Sequence, residues 1–184
     1  MTNKLQGLKV AILVADGFEE VELVEPKKAL EQAGAKVHVI SPAKGKVQGW
    51  HHTEKTDKLP VDVQLEDANP KEYNALVLPG GVMNPDNLRL IPRAIKFIKE
   101  IADTGKPIAA ICHGPWTLIN AGVVKGRKVT SWPSLEVDLT NAGAHWVNEE
   151  VVQDGRLVTS RKPDDIPAFN QKMIELFAEQ NQQS

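Results

Sequence analysis

Cysteine occurs once in this chain, and its neighbours make it a candidate nucleophile. In Ala110-Ile111-Cys112-His113-Gly114, small residues stand two positions to either side of the thiol. That spacing meets the steric requirement of a nucleophile elbow, where a tight strand-to-helix turn lifts the reactive atom clear of a sheet. A helix following Pro115 would aim its free N–H groups and positive end at the sulfur, favouring thiolate over thiol. The competing reading is a buried core cysteine, the commoner fate of a lone Cys. Pro79-Gly80-Gly81 is a candidate oxyanion turn, because a glycine N–H such as that of Gly81 can approach a reacting oxygen closely. The N–H of His113, directly after the nucleophile, is the second donor by elbow geometry. Acids gather at Glu19, Glu20 and Glu22. On a helix Glu19 and Glu22 share a face, so either could lean toward Cys112, and spacing alone does not choose between them.

Other polar groups carry less. His51 and His52 are sequence neighbours, whose side chains point apart in an extended strand, and no second ligand pair accompanies them. No metal site is therefore expected. His38 reads as a packed or edge side chain, and His145 beside Trp146 is left open. The four tryptophans are scattered, so they form no stacking platform for nucleic acid. Neither GxGxxG nor GxxxxGK is present, so no nucleotide cofactor is signalled, and no cofactor of any kind is expected.

These groups need a scaffold, and the apolar pattern describes one. Leu8 to Ala15, Tyr73 to Gly81 and Pro107 to Cys112 are short apolar runs suited to buried parallel strands. Ala35 to Ser41 alternates as a further strand. Amphipathic stretches fall between them, with helices expected over 19–33, 88–104, 115–123 and 134–142 and a last one from Pro163 or Asp164. The expected stripe of the second is Leu90, Ile91, Ala94, Ile95, Ile98 and Ile101. Residues 42–70 are polar and should hold short antiparallel pieces, with Val61 to Leu65 the best strand. A short strand is expected at Lys128 to Ser131. Asp154-Gly155, flanked by EEVVQ and RLVTS, signals a hairpin. The tail AEQNQQS is expected to fray. Strand–helix alternation of this kind implies a mostly parallel sheet with helices on both faces, whose working site lies at the carboxyl ends of the strands.

Length and composition set the outer limits. One domain spanning 1–184, with its core over about 8–178, accounts for 184 residues. A hydrophobic fraction of 41% and a net charge of −2 describe an ordinary globular chain. They supply no electrostatic reason to expect nucleic acid or an acidic membrane. No run reaches the ~18 apolar residues of a membrane span, and the first apolar run reads as a strand rather than a signal peptide. The expectation is a cytoplasmic protein without membrane or nucleic-acid partners.

The series DGFEEVE, LVLPGG, NPDNLR, AAICHGP, LINAGVVKGRKVTSW and TSRKPDDIPAF, in this order from about Lys9 to Phe177, resembles the PfpI family of the ThiJ/PfpI superfamily. That family is related to class I glutamine amidotransferase domains. The resemblance implies a flavodoxin-like three-layer α/β sandwich, with a mostly parallel central sheet and a small antiparallel hairpin. It also implies a site made of Cys112, His113 and an acid against the sulfur that matches Glu22. A further carboxylate reaches the histidine from an adjacent subunit in PfpI-type members. The matching position is Asp86, an Asp where some members have Glu, and the implied unit is a homodimer or higher homo-oligomer. The resemblance implies a stress-response enzyme acting on peptides, on small reactive carbonyl compounds or on glycation adducts, as a peptidase, glyoxalase or deglycase. Two other readings remain: a redox-responsive protein whose readout is Cys112 oxidation, and a holdase-like chaperone. A histidine beside the thiol and a candidate carboxylate favour catalysis, because a sensor needs only an acidic thiol. A lone cysteine also lacks a resolving thiol within the chain.

Overall fold

The computed structural model describes residues 3–182. In chain order the elements are β1 (Lys9–Leu13), β2 (Phe18–Glu19), α1 (Glu20–Gln32), β3 (Lys36–Ser41), β4 (Lys46–His51) and β5 (Glu54–Pro60). Then come β6 (Val63–Gln64), β7 (Ala75–Leu78), α2 (Met83–Arg89), α3 (Pro92–Asp103), β8 (Ile108–Ile111) and α4 (Trp116–Asn120). The last are β9 (Lys128–Val129), α5 (Glu136–Asn141), β10 (His145–Trp146), β11 (Val151–Asp154), β12 (Leu157–Ser160) and α6 (Ile166–Gln182).

A seven-stranded sheet runs in the order β11-β12-β8-β7-β1-β3-β6. Every pair in it is parallel except β11 with β12. Its strands are apolar on both sides because both sides are covered. Along β1, Val10 and Ile12 face one core, where α1 and α6 contribute Leu23, Leu30, Phe169, Met173 and Phe177. Ala11 and Leu13 face the other, with Leu88, Phe97, Ile98, Ile101 and Leu118 from α2, α3 and α4. Each fully buried large side chain contributes about 1.5–3 kcal/mol, so these two layers supply most of what holds the sheet. This is the flavodoxin-like three-layer α/β sandwich expected from the sequence.

Several local expectations change. The helix expected over 88–104 is two helices, because Pro92 disfavours the helical region for Ile91, which sits at φ −105, ψ 102. Ala94, Ile98 and Ile101 are buried as expected, while Leu90, left at the break, is 81% exposed. NPDNLR lies within α2 rather than ahead of a helix. In 42–70 the antiparallel pieces are β4 and β5, and the Val61–Leu65 strand shrinks to the two residues of β6. The late hairpin turns one residue further on, with Asp154 opposite Leu157 and Gly155 supplying the positive φ of 58. The tail does not fray as far as Gln182: α6 continues to that point, and Asn181 Nδ2 donates to the carbonyl of Lys4 at 3.0 Å. Gln183 and Ser184 lie outside the described residues.

Candidate active site

Cys112 leaves the end of β8 in the left-handed region, with φ 62. Hydrogen bonds lock it there: its N–H donates to the Ser160 carbonyl at 3.0 Å, and its carbonyl accepts the Trp132 N–H at 2.9 Å. Gly114 closes the turn, its N–H reaching the Ile111 carbonyl at 2.9 Å. A Cβ at Gly114 would collide with the Leu78 carbonyl, which is why the elbow needs a small residue there. Cys112 ends 6% exposed, so it is buried as a core cysteine is, while its turn is the one an elbow requires.

Glu22, in the first turn of α1, is fully buried beside that sulfur. Its Oε1 accepts the Gly80 N–H at 3.0 Å, and the carboxyl interacts with the Cys112 side chain. A Cβ at Gly80 would stand 2.6 Å from Glu22 Oε1 and 2.7 Å from Cys112 Cβ, so only glycine fits between them. Burial, and then the nearby charge of Glu19, push the Glu22 carboxyl up to about 8, against the opposing pull of the Gly80 and Gly81 N–H groups. Glu22 therefore holds a proton at neutral pH.

Glu19 goes elsewhere. It has extended backbone (φ −73, ψ 118) as the residue before α1, so the shared helical face does not apply to it. Its carboxylate turns to the β4–β5 tip, where both oxygens accept the His52 N–H at 3.2 Å. The choice between the two acids is settled by one residue lying outside the helix.

His113 Nδ1 lies 3.2 Å from Cys112 Sγ. Its ring stacks on Trp132, centroids 5.8 Å apart at 22°. Burial lowers the pKa of the imidazole, which favours its neutral form. The expected thiolate bias is not found. Burial first, and the Glu22 carboxylate second, push the Cys112 thiol up, and the Gly81 and His113 N–H groups only partly oppose this. The α4 helix that was to favour the thiolate starts at Trp116 and is five residues long. Both expected oxyanion donors, the Gly81 and His113 N–H groups, act on the sulfur itself. At rest the thiol and the imidazole are therefore both neutral, with the Gly81 and His113 N–H groups and the protonated Glu22 turned to the sulfur.

Asp86 is not brought to this cluster within the chain. It sits on the exposed face of α2, outside the cavity lining. Asn84, one residue before Pro85, was not singled out from the sequence and is fully buried. Its Oδ1 accepts the Ala15 N–H at 2.7 Å, and its Nδ2 donates to the carbonyls of Pro79 and Gly80 at 3.1 and 3.0 Å. It therefore ties the end of β1 to the glycine turn that seats Glu22. Its only sequence signal was an asparagine closely following Pro-Gly-Gly.

A cavity of about 260 Å³ opens onto Cys112, walled by Trp50, Trp132, Val82 and Met83, with Glu19, Glu22, His52 and His113 as its polar groups.

A parallel sheet with a cysteine elbow, flanked by histidine and a buried acid, defines the flavodoxin-like proteins that carry a strand-end thiol. The model of the DJ-1/PfpI family matches residues 8–176, and the chain belongs to that family. It is 46% identical over 174 residues to General stress protein 18 of Bacillus subtilis, covering 93% of this chain and 98% of that protein. It is 44% identical over 170 residues to Deglycase TK1284 of Thermococcus kodakarensis, covering 92% and 99%. Drosophila melanogaster DJ-1beta, a solved structure 28% identical, matches with a TM-score of 0.85 over 100% of this chain and 95% of its own.

Proposed function

We propose that this protein is a stress-response enzyme using Cys112 as a covalent nucleophile on small reactive dicarbonyl compounds and on the early adducts they form with amines. The observation that carries the reading is Glu22: a fully buried carboxyl, raised to about 8, beside a thiol and a neutral imidazole. Such a set can donate a proton to a developing alkoxide at neutral pH, as carbonyl addition requires. The names of the deglycase and stress-protein relatives support it. The cavity, about 260 Å³, favours a small adduct over an extended peptide, since pockets for drug-sized ligands begin near ~300 Å³.

The chemistry balances without a cofactor. Sγ bonds to the aldehyde carbon as its proton passes to His113 Nδ1, and the carbonyl oxygen takes the Glu22 proton. The hydrogen on that carbon then moves as a proton to the neighbouring ketone carbon, and the new hydroxyl's proton to the ketone oxygen, both through the His113–Glu22 acid–base pair, leaving a 2-hydroxy thioester. Water cleaves the thioester, releasing a 2-hydroxy acid and the free thiol. One carbon is oxidised by two electrons while its neighbour is reduced by two. An early amine adduct enters the same route once its C–N bond breaks: the carbinol proton passes to nitrogen, the amine leaves, and the aldehyde carbon so regenerated is the one Sγ attacks.

His113 needs an orienting acid, and we assign that role to Asp86 of a neighbouring subunit in a homodimer. Asp86 is exposed on α2, and Val82, Met83 and Leu90 beside it are exposed apolar side chains suited to an interface. A panel of dicarbonyls, glycated amino acids and fluorogenic peptides tests the substrate class. Turnover of the first two that vanishes in Cys112→Ala is expected, and turnover of peptides alone refutes it. Mixing exchanged subunits of Cys112→Ala and Asp86→Ala should restore part of the activity. No recovery in demonstrably mixed dimers removes Asp86 from the site.

A further inference from the structure

The tip of the β4–β5 hairpin, with Glu19 of β2 against it, forms the one group of three potential metal ligands among the described residues. Side chains of sequence neighbours in a strand point to opposite faces, which is why His51 and His52 gave no metal expectation. That premise fails at His52, whose φ of 56 takes it out of the strand. Left-handed backbone is tolerated by His more readily than by most residues. It brings both rings to the same side, with centroids 4.4 Å apart. His51 Nδ1 lies 3.7 Å and His52 Nδ1 3.9 Å from Glu19 Oε1, and one ligand atom from each residue falls within 4.8 Å of the others.

We infer that Glu19, His51 and His52 form a binding site for a borderline divalent cation of the zinc(II) type, at the rim of the Cys112 cavity. Two imidazole nitrogens and one carboxylate oxygen suit zinc, cobalt, nickel and copper, whereas magnesium and calcium take oxygen ligands. With zinc–ligand distances of about 2.0–2.2 Å, neighbouring donors in a tetrahedral site stand about 3.3 Å apart. The observed separations, 3.7 and 3.9 Å to the carboxylate and at most 4.8 Å overall, need to shrink by about 0.4 to 1.5 Å. The two rings have the freedom to do this, with side chains 62% and 71% exposed. The carboxylate does not have to move: it is 11% exposed and pinned by the His52 N–H. Such pinning is the outer-shell support that ligating carboxylates require. Three protein ligands leave a fourth position open, as in catalytic rather than structural zinc sites. Since Glu19 and His52 both line the cavity, that position is available to water or to an oxygen of a molecule held there.

Titrating the full-length protein with zinc(II) by calorimetry, and with cobalt(II) by visible absorption, tests the site. One ion per chain is expected, retained in Cys112→Ala, with affinity falling about tenfold or more in His51→Ala and in Glu19→Gln. His52→Asn keeps a residue tolerant of the left-handed backbone, so it should lose the ion without changing the thermal melting of the metal-free protein. Unchanged stoichiometry and affinity in His51→Ala and His52→Asn would overturn the assignment. So would binding that disappears in Cys112→Ala, which would move the ion to the thiol and His113.

Discussion

Replacing Glu22 with Gln should stabilise the folded protein, and the gain should grow with pH. The carboxyl has an ordinary value of 4.5 and stands at about 8 in the fold. A group whose folded value is raised contributes fully below the unfolded value and loses that contribution as pH climbs through the folded one. Below about pH 4.5 both states hold the proton and the acid costs nothing. Between 4.5 and 8 only the unfolded chain releases it, so wild type loses about 1.4 kcal/mol per pH unit relative to the Gln variant. The difference reaches about 3 kcal/mol at pH 7 and levels off near 5 kcal/mol above pH 8. Because the carboxyl is fully buried, solvent screening does not reduce this much. Gln keeps an oxygen for the Gly80 N–H, and the lowered pKa of His113 is common to both proteins and largely cancels. Urea unfolding of the two proteins at pH 5, 6, 7 and 8 gives the difference directly. A gap that stays constant over this range would mean that Glu22 is already ionised at pH 5. That would remove both the raised carboxyl and the acid assigned to carbonyl addition.

Gly80→Ala should cost about 1–3 kcal/mol, because its methyl group must displace Glu22 Oε1 and Cys112 Cβ. Thermal melting measures the loss, and slower iodoacetamide labelling of Cys112 should accompany any change in the site. At the elbow the usual order of substitutions should invert: Cys112→Gly is expected to be about 1 kcal/mol more stable than Cys112→Ala, since φ 62 strains any side-chain-bearing residue. Equal stabilities in urea titration would show that the backbone relaxes out of the left-handed region once the thiol is gone.

Local steric rules made part of this protein legible from its residues alone. Short branched apolar runs alternating with amphipathic ones sufficed for a parallel sheet covered on both faces. Small residues around Cys112 sufficed for the elbow, because the clash Gly114 avoids is with backbone that any such turn must pass. Even the break between α2 and α3 was written in Pro92, although the apolar stripe running through it masked the signal. Tertiary structure decided what depends on groups distant in the chain. Glu22 rather than Glu19 meets the sulfur because helix α1 begins between them, and its proton is held by burial among residues from β7, β8 and their turns. The same burial raised the thiol that a helix terminus was expected to acidify, since desolvation outweighs the dipole of a five-residue helix. His51 and His52 share a side because one residue at a hairpin tip is left-handed, a backbone choice the residue types there did not announce. Spacing in sequence sets what neighbours can do to one another. The field and solvation at a buried atom are set by whatever the fold packs around it.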